Sequence, residues 1–321
     1  MKVAVCATVR NERATVASLA RQLLTQSRTP DEIVIVDGGS TDGTLAALRE
    51  CLGSHPHARV LAAPGANIAQ GRNRAIAATT SELIAVTDAG IERGTGWLAA
   101  LLDAVNADPN CAGAFGYILA APRTTFEAAL GAVALPRAEE IDPATYPPSS
   151  GSVLLRRTWL EHAGGYPPWL AYGEDLYLDR RIWELGGRFV HAPAADVGIR
   201  PRTAVTAFFR QYFNYATGDG HAGMLGRRHI ARYAAYGAAA MALQGRSVWR
   251  FLLLAGLGGL YLVRPWGRVP AMLRAAPRAN ALAVYGLVPV LRLVGDLAKM
   301  TGYPAGLARR RRRGGGDGGA S

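Results

Sequence analysis

The residues best placed to do chemistry in this 321-residue chain are carboxylates at the ends of apolar strands. Ile33-Val34-Ile35-Val36 runs into Asp37 and then Gly38-Gly39-Ser40-Thr41-Asp42-Gly43, and Leu83–Thr87 runs into Asp88. A third acidic position, Glu174-Asp175, comes much later among aromatic residues. Carboxylates so placed can accept from a nucleobase or a ribose, hold a divalent cation, or take a proton from a nucleophile. The glycines after Asp37 let backbone and ligand come close.

The elements that position them follow from the apolar pattern. Unbroken apolar strands belong in a parallel sheet with helices on both faces, and ligands bind outside the carboxyl ends of such strands. Strand Val3–Val9 precedes a helix carrying Val16, Leu19, Leu23 and Leu24. Strand Ile33–Asp37 precedes a helix with Leu45, Leu48 and Leu52, for which Ser40 or Thr41 is the expected cap. A short strand near Val60–Ala62, a helix around Arg72–Ala78, strand Leu83–Thr87 and helix Trp97–Asn106 continue the alternation, which predicts an α/β fold. Pro122, Pro136, Pro143, Pro147 and Pro148 predict a loop-rich insertion over 120–150, before regular structure returns at Gly151–Arg157.

Charge divides the chain. The formal net charge of +12 comes from the C-terminal third: residues 226–313 hold 16 Lys/Arg against one acid, Asp296. The composition therefore predicts a domain over 1–225, a helical apolar and basic appendage over 226–308, and a disordered basic, Gly-rich tail over 309–321. Three apolar runs in the appendage, Tyr233–Leu243, Phe251–Val263 and Ala281–Leu291, are shorter than the roughly 20 residues of a spanning helix. Arginines and Trp249, Tyr261 and Trp266 flank them, which predicts helices lying in or re-entering a membrane interface at the cytoplasmic face. An ordinary helical cap is the alternative.

Cys6, Cys51 and Cys111 are odd in number and form no CxxC pair, so reduced buried thiols are expected. His162, His191, His221 and His229 lack metal-ligand spacing. There is no Walker loop and no GxGxxG after the first strand. The basic charge lies among apolar runs without stacking platforms, which argues against nucleic acid.

Several motifs occur in a telling order: Thr8-Val9-Arg10-Asn11-Glu12, Val36-Asp37-Gly38-Gly39-Ser40-Thr41-Asp42-Gly43-Thr44, Arg72-Asn73, Thr87-Asp88-Ala89, Gly151-Ser152 with Arg156-Arg157, Gly164-Gly165-Tyr166 and Gly173-Glu174-Asp175. Over residues 1–200 this set resembles the family 2 glycosyltransferases of GT-A fold, inverting enzymes that use nucleotide-diphosphate sugars. The resemblance implies a GT-A-like, Rossmann-like, mostly parallel sheet sandwiched by helices. It implies that Asp37 accepts from the base, with Thr8, Asn11, Glu12 and Gly39 lining the same pocket. Arg72 would face ribose or diphosphate, and Gly151 and Ser152 would sit under the donor sugar, with Trp169 and Tyr172 offering stacking faces. Asp175 would be the general base, helped by Glu174.

Asp88 would be the first member of an Asp-x-Asp triplet holding Mn²⁺ or Mg²⁺, but the third position is Gly90. The Gln-x-x-Arg-Trp of processive members is missing, its nearest counterpart being Arg210–Tyr215, from which Arg210 or Tyr212 would close over the diphosphate. The expected partners are a nucleotide-diphosphate sugar, a glycan or lipid-linked acceptor and a membrane surface, with one sugar added per encounter. A nucleotide-sugar-binding protein without catalysis is the alternative that Gly90 suggests.

Overall fold

The computed structural model describes residues 1–244 and 247–316. The chain forms two compact units: Met1–Leu119 with Arg137–Ile199, and Ala120–Pro136 with Arg200–Ser321.

The first unit opens as the apolar pattern requires, with β1 (Val3–Val9), α1 (Val16–Leu24), β2 (Glu32–Asp37), α2 (Thr44–Leu52), β3 (Ala58–Ala62), α3 (Ile68–Ala77) and β4 (Leu83–Thr87). Then come β5 (Ile91–Glu92), α4 (Trp97–Ala107), β6 (Gly113–Phe115) and β7 (Ile118–Ala120). After α5 (Thr125–Ala134), which lies in the second unit, follow β8 (Ser152–Arg156), α6 (Arg157–His162), α7 (Glu174–Glu184), β9 (Phe189–His191) and β10 (Val197–Ile199).

Seven strands make one sheet in the order β3-β2-β1-β4-β8-β6-β9. The pairs β3/β2, β2/β1, β1/β4 and β6/β9 are parallel, and β8 runs antiparallel between β4 and β6. A second sheet, β5-β10-β7, has three short strands.

Two apolar cores explain why the central strands lack alternation. Val3, Val5, Ala7 and Val9 of β1 pack into one core with α1, α2 and α4, while Ala4 and Cys6 enter the other with α3, α6 and α7. Ile33 and Ile35 divide from Val34 and Val36 in the same way. Each such fully buried Val, Leu or Ile contributes about 1.5–3 kcal/mol. All three cysteines are free, and burial pushes the Cys6 thiol up to about 12, so it is inert packing.

The sheet ends position the acids. Asp37 closes β2 opposite Val9 of β1, and the pair Thr87↔Ser152 sets the start of β8 beside the end of β4. Asp37, Asp88 and Gly151 thus come to the same edge of the sheet.

The second unit is helical: α5, α8 (Val205–Ala222), α9 (Gly226–Leu243), α10 (Val248–Ala275) and α11 (Ala281–Gly316). Its core joins Ala128, Leu130 and Val133 of α5 to Phe208, Val269, Met272, Val284, Val288 and Leu291. Asp296 is buried and accepts from Arg232 Nε (2.9 Å), Tyr236 Oη (3.0 Å) and Tyr261 Oη (2.5 Å), tying α9 and α10 to α11. A buried carboxylate is tolerable only when paired in this way.

Several expectations change here. The stretch 120–150 is not all loop, because Thr124 caps α5 through Glu127 N–H and a run of small apolar residues fills the core. The sequence boundary at 225 falls beyond α8, whereas the compact units divide at 199/200. The apolar runs taken as short are parts of longer helices, since arginine does not interrupt a helix, and α10 and α11 are long and apolar enough to cross a membrane. The apolar window of α10 is almost wholly exposed; that of α11 is one-third buried. Arg309–Arg313, expected in a disordered tail, continue α11, and residues 317–321 lie outside the described residues.

Candidate active site

Asp37 is 1% exposed at the end of β2. Its Oδ1 accepts from the N–H groups of Gly39 (2.9 Å) and Ser40 (2.8 Å), while its buried Oδ2 has no partner among the described residues. The turn that supplies these donors needs φ +93° at Gly39, a conformation open to glycine. One carboxylate oxygen is thus fixed by backbone and the other is left bare, an arrangement costly in a core and suited to a ligand N–H. Thr8 Oγ1 is likewise buried without a partner among the described residues, beside Gly71, where any side chain would collide with it.

The neighbouring candidates have local work. Asn11 adopts a left-handed backbone, its N–H donates to Ser40 Oγ (2.8 Å) and its Oδ1 accepts from Thr41 N–H (2.9 Å). The Glu12 N–H donates to Thr44 Oγ1 (2.8 Å), and its carboxylate accepts from Thr15 Oγ1 (2.5 Å). Both residues hold the β1–α1 connection against the glycine-rich turn.

Arg72, expected to face ribose or diphosphate, is 1% exposed. A capping box of Asn67 and Gln70 starts α3, and that helix is buried at Ala69, Gly71, Arg72, Ala75 and Ile76. The guanidinium donates to Glu174 Oε1 (2.5 Å) and Asp88 Oδ1 (2.8 Å) and lies 5.2 Å from the centre of the Tyr166 ring. Tyr166 in turn bonds Ser150 Oγ (2.7 Å), and its backbone is clasped by Asn73 (2.7 and 3.0 Å). Arg72 therefore brackets the end of β4 to the start of α7. Burial works against its charge, but Asp88 and Glu174 outweigh burial and hold the guanidinium above the ordinary arginine value.

Glu174 and Asp175 open α7 behind Gly173, which takes the left-handed conformation (φ +75°). Their carboxyls sit at the helix N-terminus, where free N–H groups and the helix dipole favour negative charge. Asp175 is half-buried, with Oδ1 accepting from Leu176 N–H (2.8 Å). Glu174 is 5% exposed; burial pushes its carboxyl up to about 7 against the pull of Arg72, which it shares with Asp88. One turn on, Asp179 is buried with Oδ2 unpartnered, and burial, reinforced by Asp175, raises its carboxyl well above the usual range.

Ser152, expected beneath a sugar, is fully buried, and its hydroxyl accepts from Trp97 Nε1 (2.8 Å) and donates to the Ala195 carbonyl (2.9 Å). The Gly151 carbonyl accepts from Thr87 Oγ1 (2.8 Å), and a side chain at Gly151 would strike Ile118 and Ile91. Tyr172 is exposed, and Trp169 packs edge-on against Tyr177. Arg210 lies on α8, in the other compact unit.

Sequence reasoning missed Arg93. It is 7% exposed, its Nη2 donates to Thr87 Oγ1 (2.8 Å) and the Asp88 carbonyl (2.9 Å), and its Nη1 donates to Gln22 Oε1 (3.2 Å). No motif marks it; only its place five residues after Asp88 hinted at the site.

The divalent cation implied by the sequence resemblance does not fit these residues. Hard cations take several oxygen ligands, of which a site built on a substrate's phosphates asks one or two free carboxylates of the protein. Asp88 offers one carboxylate, already shared with Arg72, and Gly90 offers none. Among the described residues no three His, Cys, Asp or Glu side chains gather to hold a metal.

Residues 4–152 match the family described as "Glycosyl transferase family 2". The chain is 27% identical over 263 residues to the pre-mycofactocin glycosyltransferase of Mycobacterium tuberculosis, covering 76% of this chain and 52% of that protein. It is 26% identical over 222 residues to the succinoglycan biosynthesis protein ExoA of Rhizobium meliloti, covering 65% and 66%. It spans about half the length of the first of these relatives. In fold it is similar to the mannosyltransferase PcManGT of Pyrobaculum calidifontis, solved with GDP-Man and Mn²⁺, with TM-score 0.60, 22% identity, and coverage of 89% of this chain and 86% of that one.

Proposed function

We propose that this chain, whose residues 4–152 match glycosyl transferase family 2, transfers a single sugar, with inversion, from a nucleotide-diphosphate donor. The observation that carries the reading is the buried Asp37 with one oxygen fixed by backbone amides and the other bare. That bare oxygen can accept a base N–H, as from uracil or guanine, and the unpartnered Thr8 hydroxyl offers a second polar contact on the adjacent strand.

The chemistry needs one proton acceptor and one leaving group. The acceptor oxygen forms a bond to the anomeric carbon as the bond to the diphosphate breaks, its electron pair leaving with the nucleotide. The acceptor's hydroxyl proton goes to Asp175, the half-exposed carboxylate at the start of α7. Glu174 is bound to Arg72 and buried, so it holds the loop and does not meet the acceptor.

Binding tests the reading directly. Calorimetry and melting curves with UDP, GDP, TDP and CMP on wild type and Asp37→Ala should show one nucleotide stabilising wild type, with affinity reduced at least about tenfold in the variant, the worth of a charged hydrogen bond. No binding by any of the four would overturn it.

The exposed apolar faces of α10 and α11 with their arginines support a membrane site of action and a lipid-linked or envelope-glycan acceptor. ExoA is named for succinoglycan biosynthesis, which is consistent with an envelope glycan. The purified chain should need detergent, or co-float with vesicles containing phosphatidylglycerol. A fully soluble, monodisperse protein that ignores such vesicles would remove the membrane part of the proposal.

A further inference from the structure

We propose that this site neutralises the departing diphosphate without a divalent ion, the fixed positive charge behind Asp88 being supplied by Arg93. The proposal rests on the nucleotide-sugar reading and deepens it. Asp88 is engaged by Arg72, Gly90 stands where a second carboxylate is expected, and the described residues gather no set of three metal-binding side chains.

Arg93 is an unusual residue to find at this place. It is nine-tenths buried, yet among the described residues it pairs with no carboxylate; its acceptors are a hydroxyl, a carbonyl and an amide oxygen, and its buried Nε has no partner there. Burying a cation without an anion is expensive unless an anion arrives. Burial, opposed only by Asp88, pulls its guanidinium down to about 10, so it remains charged at neutral pH.

The surroundings make that charge rigid. The guanidinium lies 5.6 Å from the centre of the Trp97 ring, whose Nε1 is anchored on Ser152. It binds both Thr87 and the Asp88 carbonyl, so it sits directly beneath the end of β4, the sheet edge where ligands of this architecture bind. A bound diphosphate brings negative charge to that edge. A fixed guanidinium in a low-dielectric floor attracts it without reorganisation, the service a metal ion performs elsewhere. Arg93 does not touch the ligand in this account. It is a positioning residue acting through Asp88 and through its field.

The test measures binding and turnover on the full chain. Wild type, Arg93→Gln and Arg93→Lys are stripped with EDTA and titrated with UDP, GDP, uridine and guanosine, with and without Mn²⁺ or Mg²⁺. Chelated wild type should bind its nucleoside diphosphate within about twofold of its metal-supplemented affinity. Arg93→Gln should lose about tenfold or more for the diphosphate while its nucleoside affinity is unchanged, and Arg93→Lys should recover most of the loss. A merely structural role would weaken nucleoside and diphosphate alike, and that result overturns the proposal. So does diphosphate binding or turnover by wild type that vanishes in EDTA and returns with Mn²⁺, an outcome readable even if Arg93→Gln fails to fold. Absence of nucleotide binding in every arm defeats the transferase reading instead.

Discussion

Asp175→Asn should lower kcat by about 10²–10⁴-fold, the range that a positioned general base contributes, while leaving nucleotide affinity within about twofold of wild type. The amide keeps the shape of the side chain, and its carbonyl oxygen can still accept from Leu176 N–H, so the start of α7 survives. What it loses is the ability to take the acceptor's proton as the new bond forms. Glu174→Gln provides the contrast, because it removes the charge partner of Arg72 and leaves Asp175 intact. It should act mainly on stability and on the placement of the loop. Single-turnover kinetics with calorimetry separates the two, and an Asp175→Asn variant within threefold of wild-type kcat would show that another group takes the proton. Asp179, buried one turn further on with an unpartnered oxygen, is then the first residue to substitute.

The parts of the fold legible in the sequence are those where one physical cause dominates. β1 and β4 match their expected bounds and β2 differs by one residue, because strands buried on both faces are written as unbroken Val, Ile and Ala. Reading failed where two signals compete. Ser40 and Thr41 looked like helix caps, but α2 begins at Thr44, whose N–H and hydroxyl go to Asp42, while Ser40 and Thr41 serve Asn11. The prolines of 120–150 hid α5, although Thr124 and Glu127 carry its start signal. In the tail, Pro265, Pro270, Pro289 and Pro304 lie inside helices, so neither proline nor arginine marked an end there.

The candidate site shows the same division. Asp37, Asp88 and Asp175 could be placed because strand ends and a helix start are visible in the pattern. Which way Arg72 and Ser152 face could not. Ser152 lies on a strand buried on both faces, Arg72 is a charge on the buried face of α3, where an apolar residue is the usual choice, and their partners Glu174 and Ala195 are remote in sequence. Arg93 has partners on α1, β4 and the β4–β5 turn, and no local spacing announces that meeting.

Arg72→Met should be among the most destabilising single substitutions in the first unit, at about 3–5 kcal/mol, because it removes the one cation shared by two carboxylates. The Arg72 side chain is 2% exposed and that of Glu174 6%, while Asp88 at 34% can recover some hydration. Most of the cost therefore falls on Glu174, whose carboxyl burial already raises and which would lose the attraction opposing that rise. The fall in melting temperature should be on the order of 10 °C for a unit of this size. Pairing the change with Glu174→Leu should recover part of it, since removing both members of a buried pair leaves no stranded charge. Arg72→Lys should lie between, as an ammonium keeps the charge but cannot fork to two carboxylates. A double variant no more stable than Arg72→Met would mean that the loss comes from packing against Tyr166 rather than from charge. If the charge account holds, the bracket between β4 and α7 is also what sets Asp88 and Asp175 in register, so Arg72→Lys should lose turnover in excess of its loss in stability.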